Sequence, residues 1–166
     1  MSHEVHIRPA TEADAAAINT IYNYYVREST STWQTEPSTL PERIGWLKNH
    51  GPHMPVFVAE IEGVVVGWAS LSPFRPREGW RFTVENSVYI HHEYHRRGIG
   101  ALMLEQLIRS GTELGFHSII AAIDGEQAGS ITIHEKYGFV PAGVLKQAGY
   151  KFDRWLDSVF LQKFLK

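Results

Sequence analysis

The stretch from Glu85 to Leu104, ENSVYIHHEYHRRGIGALML, constrains the fold more than any other part of the chain. From Glu85 to Ile90 β-branched and aromatic residues dominate, which predicts a strand. From Gly98 onward Ala101, Leu104, Leu107, Ile108 and Gly111 recur at helical spacing. Between them lies His95-Arg96-Arg97-Gly98-Ile99-Gly100, so the chain passes from strand to helix through a basic turn. A helix that opens on glycines directs unpaired N–H groups and the positive end of its dipole outward, and Arg96 and Arg97 add full charges beside them. A turn of this composition fits a pyrophosphate. The competing reading is a tight connection with two solvated arginines.

Other phosphate loops and a metal site fit poorly. No Gly-Lys-Ser/Thr follows the turn, which excludes a Walker loop, and the third small position of a dinucleotide fingerprint falls on Met103. A nucleoside triphosphate and a nicotinamide are therefore not the expected ligands. His91, His92 and His95 lie close together, but a zincin needs His-Glu-x-x-His on a helix. Here Glu93 follows the second histidine, the spacing is one residue short and the segment ends a strand, so no metal is expected.

The flanking chain supplies the rest of a layered fold. Val5 to Arg8 alternates and reads as a short strand ended by Pro9. Thr11 and Asp14 predict a capping box for a helix with the apolar face Ile18, Ile21, Tyr22 and Tyr25. Glu28 to Pro37 is a polar loop carrying Trp33, either core or pocket wall, before a second helix with Leu40, Ile44 and Leu47 in phase. Glu62-Gly63 joins Val56–Ile61 to Val64–Leu71 as a hairpin, and both strands are apolar enough to be covered on two faces. Ser72 to Phe82, with its arginines and aromatics, has the composition of a binding loop.

After the helix from Gly98 to Leu114, capped by Gly115, Ser118 to Ile123 predicts a buried strand, so strand, crossover helix and strand form a right-handed parallel pair. A loop from Asp124 to Ser130, a short helix from Ile131 to Tyr137 and two closing strands, Phe139–Val144 and Arg154–Phe164, complete the chain. The class is α/β with a mixed sheet, antiparallel at first and parallel in the middle.

At 166 residues, 43% hydrophobic and 20% charged, the chain has the size of one domain spanning 1–166 with a sizeable core. A formal net charge of -2 lacks the basic footprint of a nucleic-acid binder. The absence of cysteine excludes a disulfide and a cysteine nucleophile, and it fits a reducing cytoplasm. MSHEVHIRPA has no apolar signal core, and no stretch approaches the roughly 20 apolar residues of a membrane span. The expected location is the cytoplasm, with no membrane partner.

The basic turn resembles motif A of the GNAT N-acetyltransferase superfamily, Gln/Arg-x-x-Gly-x-Gly/Ala, whose backbone N–H groups bind the pyrophosphate of acetyl-CoA; His95 stands at the Gln/Arg position. The resemblance extends over nearly the whole chain to the phosphinothricin and methionine sulfoximine/sulfone acetyltransferases. Its marks are Ser31 to Pro37, EGVVVGWAS from Glu62 to Ser70, TVENSVYI from Thr83 to Ile90, SITIHEKYGF from Ser130 to Phe139 and GYKFDRWLDSVF from Gly149 to Phe160. It implies the GNAT fold, a mixed central sheet with antiparallel N-terminal strands and a parallel central pair, flanked by helices. It also implies acetyl-CoA as co-substrate, the primary amine of a small amino-acid-like acceptor, direct transfer in a ternary complex and a homodimer.

Residue roles follow from the same resemblance. Glu85 is the base, because only a neutral amine attacks a thioester; a solvated strand-end charge is its alternative. His134, where many GNAT enzymes have tyrosine, is the acid for the departing thiolate or a water-positioning group, and its ordinary pKa of about 6.5 suits proton transfer. A purely structural histidine is the alternative. Ser87, Val88, Tyr89 and Ile90 would pair with the pantetheine arm and supply an oxyanion-hole N–H. Arg96, Arg97, Gly98, Ile99, Gly100 and Ala101 would hold the pyrophosphate. Gln127 and Ser130, at an Asn-x-x-Ser signature, would meet pantetheine. Trp33, Arg75, Pro76 and Arg77, with Glu85, would bind the acceptor, an arginine fork meeting its carboxylate. Tyr137 is assigned to the core. The rival functions are acetylation of a protein N-terminus or a polyamine, and a non-catalytic acyl-CoA-binding module.

Overall fold

The computed structural model describes residues 3–166. Its strands are β1 (His6–Pro9), β2 (Val56–Ile61), β3 (Val64–Pro73), β4 (Thr83–Ile90), β5 (Ser118–Asp124), β6 (Val140–Lys151) and β7 (Arg154–Phe164). Its helices are α1 (Ala15–Glu28), α2 (Leu40–His50), α3 (Ile99–Glu113) and α4 (Ala128–Lys136). The strands form a seven-stranded sheet in the order β1-β2-β3-β4-β5-β7-β6. Neighbours are antiparallel except for β4 and β5, whose parallel pairing through α3 is the crossover expected from the sequence.

Local chemistry explains the junctions. The capping box at Thr11 closes a 3₁₀ turn, Glu12–Asp14, that leads into α1, and the Asp14 carboxylate accepts the Thr11 backbone N–H at 2.7 Å. Arg8 ties that turn to β2 by donating to Asp14 and Glu60 at 2.8 and 2.9 Å. Between β2 and β3, Glu62 and Gly63 both adopt left-handed backbone, with φ of 51° and 79°, as a two-residue hairpin turn requires.

Helices α1 and α2 cover one face of the sheet around Ile18, Ile21, Val58 and Trp68, while α3 and α4 cover the other around Leu104, Leu107, Ile119, Phe139 and Leu161. Because strand side chains alternate, β4 sends Glu85, Ser87 and Tyr89 toward α1 and α2, and Val84, Asn86, Val88 and Ile90 toward α3 and α4. Among the described residues no helix is long and apolar enough to cross a membrane.

The structure differs from the sequence expectation in three elements. Leu40 is exposed, and Arg43 is the buried residue of α2. Its guanidinium lies over the rings of Tyr22 at 4.6 Å and Trp46 at 4.7 Å, since a flat cation on an apolar stem stacks well on aromatic faces. Helix α4 starts at Ala128, ahead of Ile131. Strand β6 continues beyond Val144 to Lys151, with register shifts against β7 at Pro141/Gly143 and Leu145/Gly149. Those irregularities break the alternation that marks a strand in sequence.

Candidate active site

Strand β4 is paired to β3 over its whole length but to β5 only at Thr83, Val84 and Glu85. The His91 N–H donates to Val66 O at 2.8 Å and the Phe74 N–H to Thr83 O at 3.3 Å, so odd-numbered residues bond β3 and even-numbered ones turn away. The pairing of Glu85 with Ile120 uses the Asn86 N–H, so the carbonyls of Asn86 and Val88 and the N–H groups of Val88 and Ile90 face a gap between β4 and β5. Of the predicted half-strand, Val88 and Ile90 line this gap, while the backbones of Ser87 and Tyr89 bond to β3. Asn86 is the added member.

The far end of the gap is closed by a hydrogen-bonded trio. The buried Tyr25 hydroxyl donates to Ile90 O and lies 2.6 Å from His95 Nε2, which is itself 3.2 Å from Ile90 O. Burial, helped by neighbouring Tyr24, pushes the Tyr25 hydroxyl up to about 12, so the phenol keeps its proton. A carbonyl only accepts, and His95 must therefore present Nε2–H to the Tyr25 oxygen. The residue that departs from the Gln/Arg pattern thus braces the turn against α1.

Beyond it, Arg96 and Gly98 both have positive φ, 61° and 77°, and curl the backbone into the concave shape that gathers N–H groups around an anion. The first intrahelical bond of α3 at this end runs from Leu102 N–H to Gly98 O at 3.2 Å. The N–H groups of Ile99, Gly100 and Ala101 precede that ladder at the positive end of the helix. Arg96 and Arg97 are exposed beside them. This donor set fits a pyrophosphate.

Glu85 and His134 lie on opposite faces of the sheet near the apex of the gap. Glu85 is half-buried and makes no hydrogen bond or ion pair among the described residues, and burial raises its carboxyl above the usual range. His134 is 5% exposed. Its Nδ1 is 2.7 Å from Ser130 O and its Nε2 is 2.9 Å from Asn86 Nδ2, with the edge of Phe139 against the ring. Burial lowers the imidazole pKa, partly offset by the Ser130 carbonyl. Ser130 therefore meets His134 through its backbone.

The loop carrying Trp33 is fastened from several elements. Lys151, 4% exposed at the end of β6, donates to the carbonyls of Ser29, Thr32 and Tyr25 at 2.6, 2.9 and 3.3 Å, matching three ammonium hydrogens to three acceptors. The Tyr89 hydroxyl donates to Ser31 O at 3.1 Å. Thr30 donates to the buried Asp124 carboxylate at the end of β5 and accepts from Gln127 Nε2 at 3.1 Å. Gln127 thus uses its extra methylene to reach the α1–α2 loop. The Trp33 ring packs on Gly149 of β6.

Arg75, Pro76 and Arg77 line a cleft of about 530 Å³ with Met54, Trp80 and Thr83, next to the start of β4. Arg75 lies over Phe74 at 5.1 Å and Trp80 at 5.8 Å. A larger cleft of about 580 Å³, between α2 and the C-terminal end of α3, contains none of the sequence-predicted site residues. His91 and His92 stack on each other at 4.6 Å, and His92 stacks on Tyr24 at 4.0 Å.

The acetyltransferase (GNAT) family profile matches residues 18–139. The chain belongs to the acetyltransferase (GNAT) family. It is 40% identical over 159 residues to a phosphinothricin N-acetyltransferase of Streptomyces viridochromogenes, covering 96% of this chain and 87% of that one. To an L-methionine sulfoximine/L-methionine sulfone acetyltransferase of Salmonella typhimurium it is 38% identical over 157 residues, covering 94% and 92%. Among solved structures, a phosphinothricin acetyltransferase from Sinorhizobium meliloti in complex with acetyl-CoA superposes with a TM-score of 0.95 at 36% identity, covering 99% and 89%. A ribosomal-protein-alanine N-acetyltransferase from Brucella melitensis superposes with a TM-score of 0.95 at 45% identity, covering 96% and 99%. The GNAT fold expected from the sequence is the fold observed.

In this acetyltransferase three residues near the site had no sequence signal strong enough to single them out. Asn86 was a polar residue inside an apolar strand, beside the more conspicuous Glu85. Tyr25 read as one member of a helix face. Lys151 falls between the two expected closing strands, where no element is predicted.

Proposed function

We propose that the chain transfers acetyl from acetyl-CoA to the primary amine of a small amino-acid-like acceptor, of the phosphinothricin, methionine sulfoximine or methionine sulfone kind, by direct attack in a ternary complex. The observation that carries this reading is the splayed edge of β4. Glu85 and Ile90 are five residue steps apart, about 17 Å of strand, with the half-buried carboxylate at one end and the glycine turn just beyond the other. An extended arm lying in that gap would meet backbone groups of Asn86, Val88 and Ile90, and its pyrophosphate would meet Arg96 to Ala101.

In this reading Glu85 takes a proton from the acceptor ammonium, directly or through one water. The free amine nitrogen then bonds to the thioester carbon, a strand N–H holds the developing oxyanion, and the nitrogen gives up its second proton to water as the carbon–sulfur bond breaks. The thiolate takes up a proton, with His134 as its source or as the group that positions a water. Arg75 or Arg77 meets the acceptor carboxylate and Trp33 walls the pocket. The names of the relatives support the acceptor class, and the cleft at Arg75 and Arg77 supports the carboxylate site.

We also place the chain in the cytoplasm as one catalytic domain and as a homodimer. The outer strand β6 and its neighbour β7 expose Val140, Val144, Leu145, Tyr150, Trp155 and Phe164, apolar surface that a second copy would cover.

A second reading, acetylation of a protein N-terminus, is favoured by the 45% identity to the structure from Brucella melitensis. One experiment separates them: acetyl-CoA turnover measured with the three small amines, the common amino acids, a polyamine and peptides beginning with alanine. Turnover confined to peptides would overturn the small-molecule reading, and cofactor binding with no turnover on any amine would overturn catalysis.

A further inference from the structure

Asn86 is a buried polar residue to whose side chain the proposed reaction gives no part. It is 9% exposed, its Oδ1 is buried with no hydrogen-bond partner among the described residues, and its Nδ2 is 2.9 Å from His134 Nε2. On the other side of the ring Nδ1 is 2.7 Å from Ser130 O. A carbonyl cannot donate, so Nδ1 carries a hydrogen in every charge state of the ring. In the neutral ring Nε2 is then a lone pair, which requires a donor, and Asn86 supplies Nδ2–H. In the cation Nε2 carries a hydrogen as well and requires an acceptor, which the same carboxamide supplies only by turning over to present Oδ1.

We infer that Asn86 is the positioning residue of His134, and that the orientation of its carboxamide and the protonation of the ring change together during the acetyl-transfer cycle. The unpartnered Oδ1 belongs to the neutral state and is the atom held ready for the cation. When the amide turns away, the Nε2 proton passes to the departing thiolate, directly or through one water; Nδ2–H then meets the lone pair, and solvent returns the proton to the ring after the products leave. A hydrophobic residue at position 86 would serve neither state.

Few other groups could set the charge of this ring. From β4 it meets Asn86, since Glu85 faces the opposite side of the sheet. From its own helix it meets the Ser130 carbonyl, with Glu135 and Lys136 exposed. From the start of β6 it meets the Phe139 ring, and Lys163 of β7 lies beside Gly138. Asp124 of β5 is bonded to Thr30 on the far face. His134 makes no ion pair among the described residues.

The inference rests on the reading of His134 as the acid, and the test separates the two. It compares kcat against pH for the wild type, Asn86→Asp, Asn86→Leu and His134→Gln, with nitrogen-15 NMR titration of His134 in the first three. The wild type should show the Nδ1–H tautomer and a loss of kcat at high pH. Asn86→Asp, whose carboxylate accepts without turning, should move that loss and the His134 titration up by about 1–3 pH units. Asn86→Leu should move both down, and His134→Gln should lack the high-pH loss.

Unchanged titration in both Asn86 variants, with kcat still collapsed in His134→Gln, overturns the role of Asn86 and leaves the acid in place. Wild-type kcat in His134→Gln overturns the acid, and the NMR titrations of the Asn86 variants then decide alone whether the carboxamide sets the charge of the ring. Should Asn86→Leu fail to fold, the nearly isosteric Asn86→Asp carries the test.

Discussion

Trp33 and Gly149 are packed ring to backbone: a Cβ built on Gly149 would stand 2.6 Å from Cε3 and 2.9 Å from Cη2 of the indole. Gly149 precedes the hairpin between β6 and β7, and Trp33 sits on the loop between α1 and α2. Glycine at 149 is therefore a requirement of close approach. Gly149→Ala should push the indole out of place and raise KM for the acceptor about tenfold, the equivalent of ~1.4 kcal/mol. KM for acetyl-CoA should stay at its wild-type value. Steady-state kinetics with each substrate varied in turn checks this, and a parallel rise in both constants would count against Trp33 as a wall of the acceptor pocket.

Lys151 holds the same loop by a different means. Replacing it with Met keeps most of the stem but strands the carbonyls of Ser29 and Thr32, each a cost of about 1–3 kcal/mol when buried. Thermal unfolding of Lys151→Met should show a Tm lower by several degrees. At temperatures where the variant is folded, KM for the acceptor should rise more than KM for acetyl-CoA.

Glu85 carries the pH prediction. Its carboxyl is raised by burial, so the ionised form that the proposed base requires is reached at higher pH than for a solvent-exposed glutamate. The acid limb of kcat/KM should therefore lie above the ordinary carboxylate range. Glu85→Gln should abolish that limb and lower kcat by about 10²–10⁴.

The same residue bears on stability. Between its unfolded and folded pKa values the folded chain binds the extra proton, so stability falls as pH rises through that window, and the loss is complete above the folded value. Glu85→Gln should melt above the wild type at pH 8, with the advantage shrinking toward pH 4. Differential scanning calorimetry at the two pH values checks the sign.

At the turn proposed to hold pyrophosphate, Gly98 has φ of 77° and open space where a Cβ would project. Gly98→Ala therefore tests backbone conformation without a clash. A left-handed alanine costs roughly 1–2 kcal/mol, and relief of that strain would swing the first N–H groups of α3 off the anion. KM for acetyl-CoA should rise several-fold while KM for the acceptor holds, as read by initial rates.

The sheet was legible because its signals are local. Glu62-Gly63 between two apolar runs, the strand-turn-helix from Glu85 to Leu104 and the capping box at Thr11 each depend on residues within a few positions of one another. The candidate site was legible in its backbone where one residue type has few alternative uses, as with Gly98, whose φ is 77°. It was not legible where the partner is distant in sequence. Gln127 is 97 residues from Thr30 and Lys151 is 122 from Ser29, and no spacing rule connects them. Arg43 was missed for a related reason: its burial depends on rings from α1 and β3 that only the fold brings over it.

The open edge of β4 reaches beyond catalysis into the lifetime of the protein. Beyond Glu85 the Asn86 carbonyl and both backbone groups of Val88 make no ladder bond to β5. A ligand that grips only the folded chain deepens the native well, by about 2.7 kcal/mol when present at a hundred times its Kd. The supply of acyl donor would thus govern how often the molecule opens to a protease.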